Sequence, residues 1–321
     1  MNAIDTVLVA YRSEGVIRGA VEAAGSLGGR VVVVDHGDGA SAVRAAAAGA
    51  VAVHDPSNPG FGAGQNHGLA FTESEFVLLC NPDAEIVSAA VRSGLHVLAG
   101  RPDAAAVQGV IVNQATGRPE RSAGVELGPV HLLGRALGAK ALLRIPAVAR
   151  FVGHSSALRD HAERVPLGPV DVESLAATTL LVRRSALDAV DGFDESYFLY
   201  GEDLDLCRRL RAAGWKLVAV PDVWATHTSG GSAECSRTRE AHWWRGTMQF
   251  GAAWWDRRAW GLAVLAASLR WVQLAAAKPR HARPSLEALL LDPLAARRRA
   301  ARFARHTRLS TERPVRSIYT G

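Results

Sequence analysis

The sequence predicts an α/β protein with a mostly parallel sheet flanked by helices, followed by a basic helical extension. Three observations predict it. Through the first hundred residues short apolar runs alternate with helix-length stretches, the pattern of βα units. Arg30–Asp35 (RVVVVD) is apolar without alternation, as expected of a strand buried on both faces. Charge divides the chain: Arg237 to Gly321 holds 17 Lys/Arg against 5 Asp/Glu, a balance of +12, so with +6 overall the first 236 residues carry −6. The division sets a globular body over residues 1–236 and a Trp/Arg-rich helical region over 237–321.

The elements follow in order. Thr6–Tyr11 reads as a strand, and Ser13 or Glu14 opens a helix to about Leu27. After Arg30–Asp35 come a helix over Ala40–Ala48, a strand over Ala50–His54 and a Pro/Gly loop over Pro56–Gly64. A helix over Ala63–Phe71, a strand over Phe76–Cys80, a helix over Ile86–Ala99 and a strand over Ala104–Val112 complete the series. From about 113 to 170 no period holds, and the segment reads as a long excursion over the site edge. Order returns with a strand over Ser174–Arg183, a helix over Arg184–Val190, a helix over Glu202–Ala213 stopped by Gly214, and a strand over Trp215–Val220 ended by Pro221. In such sheets ligands bind at the carboxyl ends of the strands. Asp35, the 55–66 loop and Asn81–Asp83 all directly follow strands and should line one edge.

The composition, 48% hydrophobic and 21% charged, is that of a globular chain, not a disordered one. Cys80, Cys207 and Cys235 are few and widely spaced, which points to a reducing cytosol. The start, MNAIDTVLVAYRSEG, has neither a basic n-region nor a long apolar stretch and does not read as a signal peptide.

Several residues can carry chemistry. Asp83, in Asn81-Pro82-Asp83, is a carboxylate just past a buried strand, placed to hold Mg2+ or Mn2+ against a diphosphate; a turn explains the same residues. The glycines at 60, 62 and 64 in NPGFGAGQNHG let backbone approach a phosphate. Gln65 at the third glycine position argues against a dinucleotide fingerprint, and a glycine-rich turn at a helix start is the plain alternative. Asp35 can accept from a nucleobase imide or a ribose hydroxyl, or cap the next turn. Glu202, Asp203 and Asp205 crowd one helix start, with Arg208, Arg209 and Arg211 toward its end, as dipole complementation alone would favour. The approach Tyr197-Phe198-Leu199-Tyr200 nevertheless sets two adjacent acids beside a pocket, where a carboxylate can deprotonate an acceptor hydroxyl. His227, 24 residues after Asp203, can be a further metal ligand or simply structural.

In this order the segments VLVAYRS, VVVVDHGDG, NPGFGAGQNHGL, LLCNPDAEI, LLVRRSALDAVDGFDESYFLYGEDLDLCRRLRAAGW and VPDVWATHTSGGS resemble family 2 glycosyltransferases of the GT-A fold, nearest the bacterial rhamnosyltransferase branch. The likeness covers about residues 6–232. It implies that Asp35 contacts the nucleobase with Tyr11 close by, and that Gly60, Phe61, Gly62 and Asn66 pack near the nucleotide or its sugar, as does Asn81. It implies Asp83 as the metal-binding carboxylate, with His227 completing the metal site or meeting the diphosphate. Asp203 would be the catalytic base and Glu202 would orient the acceptor. The implied reaction is an inverting in-line displacement: a sugar, best L-rhamnose from dTDP-L-rhamnose, moves to a hydroxyl of a glycan or polyprenyl-diphosphate acceptor in cell-envelope polysaccharide synthesis. UDP- and GDP-sugars, and a natural-product acceptor, are the alternatives. Ala10-Tyr11-Arg12 replaces the usual Thr-Tyr-Asn, His36 replaces Asn, and Ala176-Ala177-Thr178 replaces a Gly-Ala or Gly-Ser pair, so nucleotide and acceptor contacts should differ there.

The tail interleaves Trp243, Trp244, Trp254, Trp255, Trp260 and Trp271 with Arg245, Arg257, Arg258 and Arg270, and Ala259–Ala277 is otherwise apolar but for Ser268 and Gln273. A near-central Arg270 disfavours a spanning helix. Helices lying on an anionic inner leaflet fit, with Arg297–Arg299, Arg302 and Arg305 continuing the charge; a helical subdomain packed on the body fits as well. The expectation is a cytoplasmic protein, peripheral on that face of the membrane. No nucleic-acid motif accompanies the basic charge. A sugar-nucleotide pyrophosphorylase would need a basic glycine-rich loop that AYRSEG does not supply, and a non-catalytic binding scaffold would not need Asp83, Glu202 and Asp203 together.

Overall fold

The computed structural model describes residues 3–120, 122–137, 165–228, 236–277, 296–298 and 300–301. Part of the 113–170 excursion (138–164), Cys235, the end of the VPDVWATHTSGGS segment and Arg299, Arg302 and Arg305 lie outside the described residues.

The first half builds as the alternation predicts: β1 (Ile4–Ala10), α1 (Ile17–Gly25), β2 (Gly28–Asp35), α2 (Ala40–Ala47), β3 (Val51–His54), α3 (Phe61–Leu69), β4 (Phe76–Cys80), β5 (Ala84–Ile86), α4 (Ser88–Ala99) and β6 (Ala104–Asn113). Then come β7 (Ala123–Gly124), α5 (Pro129–Ala136), β8 (Val170–Val172), β9 (Ser174–Leu175), β10 (Thr179–Arg183), α6 (Arg184–Asp188), α7 (Glu202–Ala212), β11 (Lys216–His227), α8 (Ser236–Trp254) and α9 (Arg257–Ala277). The main sheet runs β3-β2-β1-β4-β10-β6-β11-β5, with β8 pairing the start of β11. Strands β1, β2, β3 and β4 are mutually parallel, as are β6 and β11; β10 is antiparallel to both of its neighbours. All six parallel strands therefore end at one edge, and β10 begins there.

Both faces are covered, which is why the strands read as unbroken apolar runs. Along β4, Phe76, Leu78 and Cys80 face a core shared with α1 and α4, while Val77 and Leu79 face one shared with α6 and α7. Helix α3 lies on the second face with its glycines pressed to the sheet: a Cβ on Gly64 or Gly68 would overlap Val9 or Val7. A third cluster joins α5, α8 and α9 through Leu132, Trp244, Met248, Phe250, Trp255 and Ala263 to Tyr197 of the body.

Three sequence readings are corrected. The run Ser174–Arg183 is not one strand; it breaks at Ala176–Thr178 into β9 and β10. The strand predicted to stop at Pro221 continues to His227, because a register break between Ala219 and Val223 absorbs the proline. The loop predicted over Pro56–Gly64 ends early, and Gly62 and Gly64 are helical.

Candidate functional site

One corner of the site is laid out by strand register. After β4, the Asn81 amide donates to the Thr178 carbonyl (2.8 Å), and the Ala84 amide to Asn81 (3.2 Å), closing the turn that carries Asp83. Strand β5 then pairs antiparallel with β11, setting Ala84 opposite His227. The result is His227 Nε2 at 3.3 Å from Asp83 Oδ1. On its other side β11 pairs with β6, His227 opposite Asn113. A turn past Asn113 returns the chain, the Glu120 amide donating to Ile111 (2.7 Å). Glu120 Oε2 thereby meets His227 Nδ1 at 2.9 Å, and Asn113 Nδ2 donates to Glu120 Oε1 (2.9 Å). Burial alone would pull the imidazole toward neutrality, but the Asp83 and Glu120 hydrogen bonds outweigh it and raise His227 to about 9.

The other corner is the start of α7. Asp203, half-buried, accepts from the Leu204 amide (2.8 Å), and the nearby Ala177 and Gly201 amides also favour its charged form. Burial still lifts its carboxyl above the ordinary range. Glu202 is 4% exposed, its Oε2 has no hydrogen-bond partner among the described residues, and burial followed by the neighbouring Asp203 pushes its carboxyl strongly upward. The bend 176–178 links the two corners: the Ala177 amide lies near enough to Asp203 to favour its charged form, while Thr178 accepts from Asn81. The bend is itself pinned by Gln108, fully buried in β6, whose Nε2 donates to the Ala176 and Thr179 carbonyls and whose Oε1 accepts from the Ala176 amide.

The loop before α7 is held from both sides. On one, the Phe61 amide donates to the Phe198 carbonyl (2.9 Å), and Asn66 brackets Phe193, accepting from its amide (2.9 Å) and donating to its carbonyl (3.0 Å). On the other, Gly246 of α8 lies against the Tyr200 carbonyl, leaving no room for a Cβ. Tyr200 (φ 65°) and Gly201 (φ 92°) turn the chain there. Below, Arg209 and Asp205, each 3% exposed at the side chain, form an ion pair (2.6 Å). Arg209 also donates to the Val190 and Gly192 carbonyls (2.6 and 2.7 Å), and Trp254 of α8 to Asp205 (2.8 Å).

The predicted site residues thus fall into groups. Asp83 with His227, and Asn81 with Asp203 through the 176–178 bend, come together at the shared edge. Gly60, Phe61, Gly62 and Asn66 adjoin the 193–202 segment: a Cβ on Gly60 would strike Phe198, and one on Gly62 would meet Phe193 at 3.1 Å and Glu202 at 3.5 Å. Their visible task is helix-to-loop packing. Asp35 is fully buried and accepts from the Gly37 (2.8 Å) and Ala42 (3.0 Å) amides, tying down the turn into α2. Tyr11, half-buried just past β1, lies under the Arg12 guanidinium at 5.4 Å. Sequence reasoning missed Glu120, Gln108 and Gly246. A lone glutamine inside an apolar strand run signals Gln108; nothing local signals the other two.

The profile of the family described as "Glycosyltransferase like family 2" matches residues 3–246. Over 65 residues the chain is 49% identical to N-acetylglucosaminyl-diphospho-decaprenol L-rhamnosyltransferase of Mycobacterium tuberculosis, 20% of this chain and 21% of that one. Over 56 residues it is 48% identical to rhamnosyltransferase WbbL of Escherichia coli, 17% of this chain and 21% of that one. The matches thus span about a fifth of each curated relative. The fold is similar to that of the mannosyltransferase PcManGT from Pyrobaculum calidifontis, solved with GDP-Man and Mn2+ (TM-score 0.52, 15% identity, 96% of this chain and 86% of that one). It is also similar to GalNAc-T7 solved with UDP, GalNAc and Mn2+ (TM-score 0.53, 11% identity, 80% and 49%). Because the family match spans well over half of its length, this chain belongs to the family described as "Glycosyltransferase like family 2".

Proposed function

We propose that the protein is an inverting rhamnosyltransferase that moves L-rhamnose from dTDP-L-rhamnose to a hydroxyl of a polyprenyl-diphosphate-linked sugar at the cytoplasmic face of the membrane. The carrying observation is the 176–178 bend, which lies beside Asp203 at Ala177 and, at the next carbonyl, accepts from Asn81 of the Asp83 turn. A base and a diphosphate-binding corner on either side of one bend suit a displacement in which attack and departure occur on opposite faces of the sugar. The rhamnose and lipid-linked assignments are supported by the two short curated matches, both of rhamnosyltransferases.

Asp203 takes the acceptor proton. Its raised affinity for a proton makes it a better base than an ordinary aspartate while the backbone amides fix its orientation. Glu202, buried and holding its own proton to higher pH, stands beside it with one oxygen unengaged to orient the acceptor. Asp83 and His227 would hold a divalent ion. The donor set fits: two ligands of one octahedral Mg2+ or Mn2+ lie about 3 Å apart, and Asp83 Oδ1 and His227 Nε2 are 3.3 Å apart. Glu120 accepts from Nδ1–H and orients the ring; a binding ion would displace the Nε2 proton, which faces Asp83. When bound, the ion neutralises charge on the departing diphosphate. Asp35, Tyr11 and Asn81, at or just past the same strand ends, would meet the nucleotide.

Asp203→Asn is expected to lower turnover by about 10²–10⁴-fold, the usual worth of a general base, with dTDP-sugar binding by thermal shift nearly unchanged. Near-normal turnover in that variant would remove Asp203 from the mechanism. The same shift measured across dTDP-, UDP- and GDP-sugars with Mn2+ tests the donor, since a ligand of the folded state raises its melting point.

A further inference from the structure

Helix α9 is apolar on two sides: Ala263, Ala266, Ala267 and Leu274 are buried against the protein, and a second apolar stripe faces outward. Its exposed positions Gly261, Leu265, Val272 and Ala276 fall within about 60° of arc at 100° per residue. Leu265 is 59% and Val272 55% exposed. The charged and amide side chains of the same stretch point the other way. Arg270 pairs with Glu240 of α8 (2.7 Å), and Gln273 donates to the Ala136 carbonyl of α5 (2.8 Å). A helix on a protein surface normally turns its charges to water and its apolar stripe to the core.

Helix α5, packed against α9, also carries exposed apolar residues. Leu137 follows Ala136, the residue that accepts from Gln273, and is 54% exposed; Val130, seven residues earlier on the same helical face, is 48% exposed. At the start of α9, Arg257 and Arg258 are exposed. Trp244 and Trp255 are buried in the cluster beneath, so the tryptophans brace the helices and the aliphatic side chains form the outer face.

We propose that the outward face of α9, with the adjoining edge of α5, seats the protein on an anionic lipid surface. Aliphatic side chains set into the acyl boundary beside arginines at headgroup level are how an interfacial helix binds. The charge balance of +12 over residues 237–321 attracts such a surface and repels a second copy of the chain. The helix is long and apolar enough to span a bilayer, but spanning would strip Arg270 of Glu240 and Gln273 of Ala136, so it lies on the surface. The proposal rests on the lipid-linked-acceptor reading for its purpose, and its test is independent of turnover.

The purified full-length protein is sedimented with phosphatidylglycerol/phosphatidylcholine vesicles and with phosphatidylcholine alone, beside Leu265→Asp/Val272→Asp and Arg257→Glu/Arg258→Glu. Wild type should pellet with the anionic vesicles at low salt. The Asp pair should cut partitioning about tenfold or more, and the Glu pair should weaken it and flatten its salt dependence. Because all four residues are exposed, melting temperatures and dTDP-sugar shifts should stay at wild-type values. Wild type left in the supernatant, or the Asp pair pelleting as wild type does, overturns the proposal. So does a dimer in sedimentation velocity that the Asp pair dissolves, which would assign the face to a second copy. Normal dTDP-sugar binding in those cases leaves the transferase reading standing.

Discussion

The two corners of the site are built by different physics. The Asp83–His227–Glu120 corner is a product of register: β11 pairs with β5 on one side and β6 on the other, and the ladders deliver Ala84 and Asn113 to His227. The Asp203 corner is a product of packing: α3 and α8 close on the loop before α7, and a buried ion pair locks the helix beneath it. A ladder is redundant, since each pairing repeats the constraint of the last. A packed loop has no such redundancy, because a single Cβ at Gly246 or a lost arginine acts directly on the backbone that aims the acids. Stability and base placement should therefore be coupled at one corner and separable at the other.

Arg209→Ala is expected to break that comparison open most widely. It leaves Asp205 buried without its partner, a loss on the order of 3–5 kcal/mol, read as a lower denaturant midpoint. It frees the Val190 and Gly192 carbonyls as well, so turnover should fall with stability while Mn2+ affinity in the surviving folded fraction holds. Mn2+ affinity falling in step with turnover would show that the corners are not independent.

Glu120→Ala probes the register-built corner. Removing a carboxylate that orients a ligating histidine typically costs 10–100-fold in metal affinity, about 1.4–2.7 kcal/mol, measurable by titrating Mn2+ paramagnetic resonance. Melting temperature without metal should change little, and Glu120→Gln, which can still accept from Nδ1, should recover part of the affinity. Unchanged Mn2+ binding in the alanine variant, with wild type binding, would reduce Glu120 to a surface contact.

A third effect is in pH dependence. Glu202 in the folded chain keeps its proton to higher pH than in the unfolded chain. Its contribution to stability is complete below the ordinary glutamate range, near pH 4.3, and is lost as pH rises through the raised value, at most about 1.4 kcal/mol per pH unit. Glu202→Gln cannot titrate, so its melting temperature should decline less steeply above about pH 5 than that of wild type. Parallel slopes for the two proteins would mean the buried carboxyl is ordinary.

What could be read before folding differs in the same way between regions. Strand and helix identity through Asn113, the short β5 apart, was legible because apolar periodicity is local. The place of Asp83 at the sheet's ligand edge was legible because it directly follows a strand run, whereas its meeting with His227 depends on the β5–β11 ladder. Glu120 was not, because its turn past Asn113 carries no hydrophobic period and its partner is 107 residues away. The glycines of α3 were legible as special but not in their reason: flexibility for a phosphate and room for Val7, Val9 and Phe198 leave the same trace in a sequence. Pro221 was taken for a strand end because the ladder that bypasses it is not local either.

By itself the chain determined its layer order, its acids and its charge division, since each follows from neighbouring residues acting through backbone sterics and burial of side chains. Tertiary structure alone decided that β10 runs antiparallel between β4 and β6, that the 176–178 bend lies beside both Asp203 and the Asp83 turn, and that α8 braces the loop behind the acids. Those outcomes rest on hydrogen bonds and close contacts between segments tens to over a hundred residues apart, and which distant segments meet is settled only when the whole core packs.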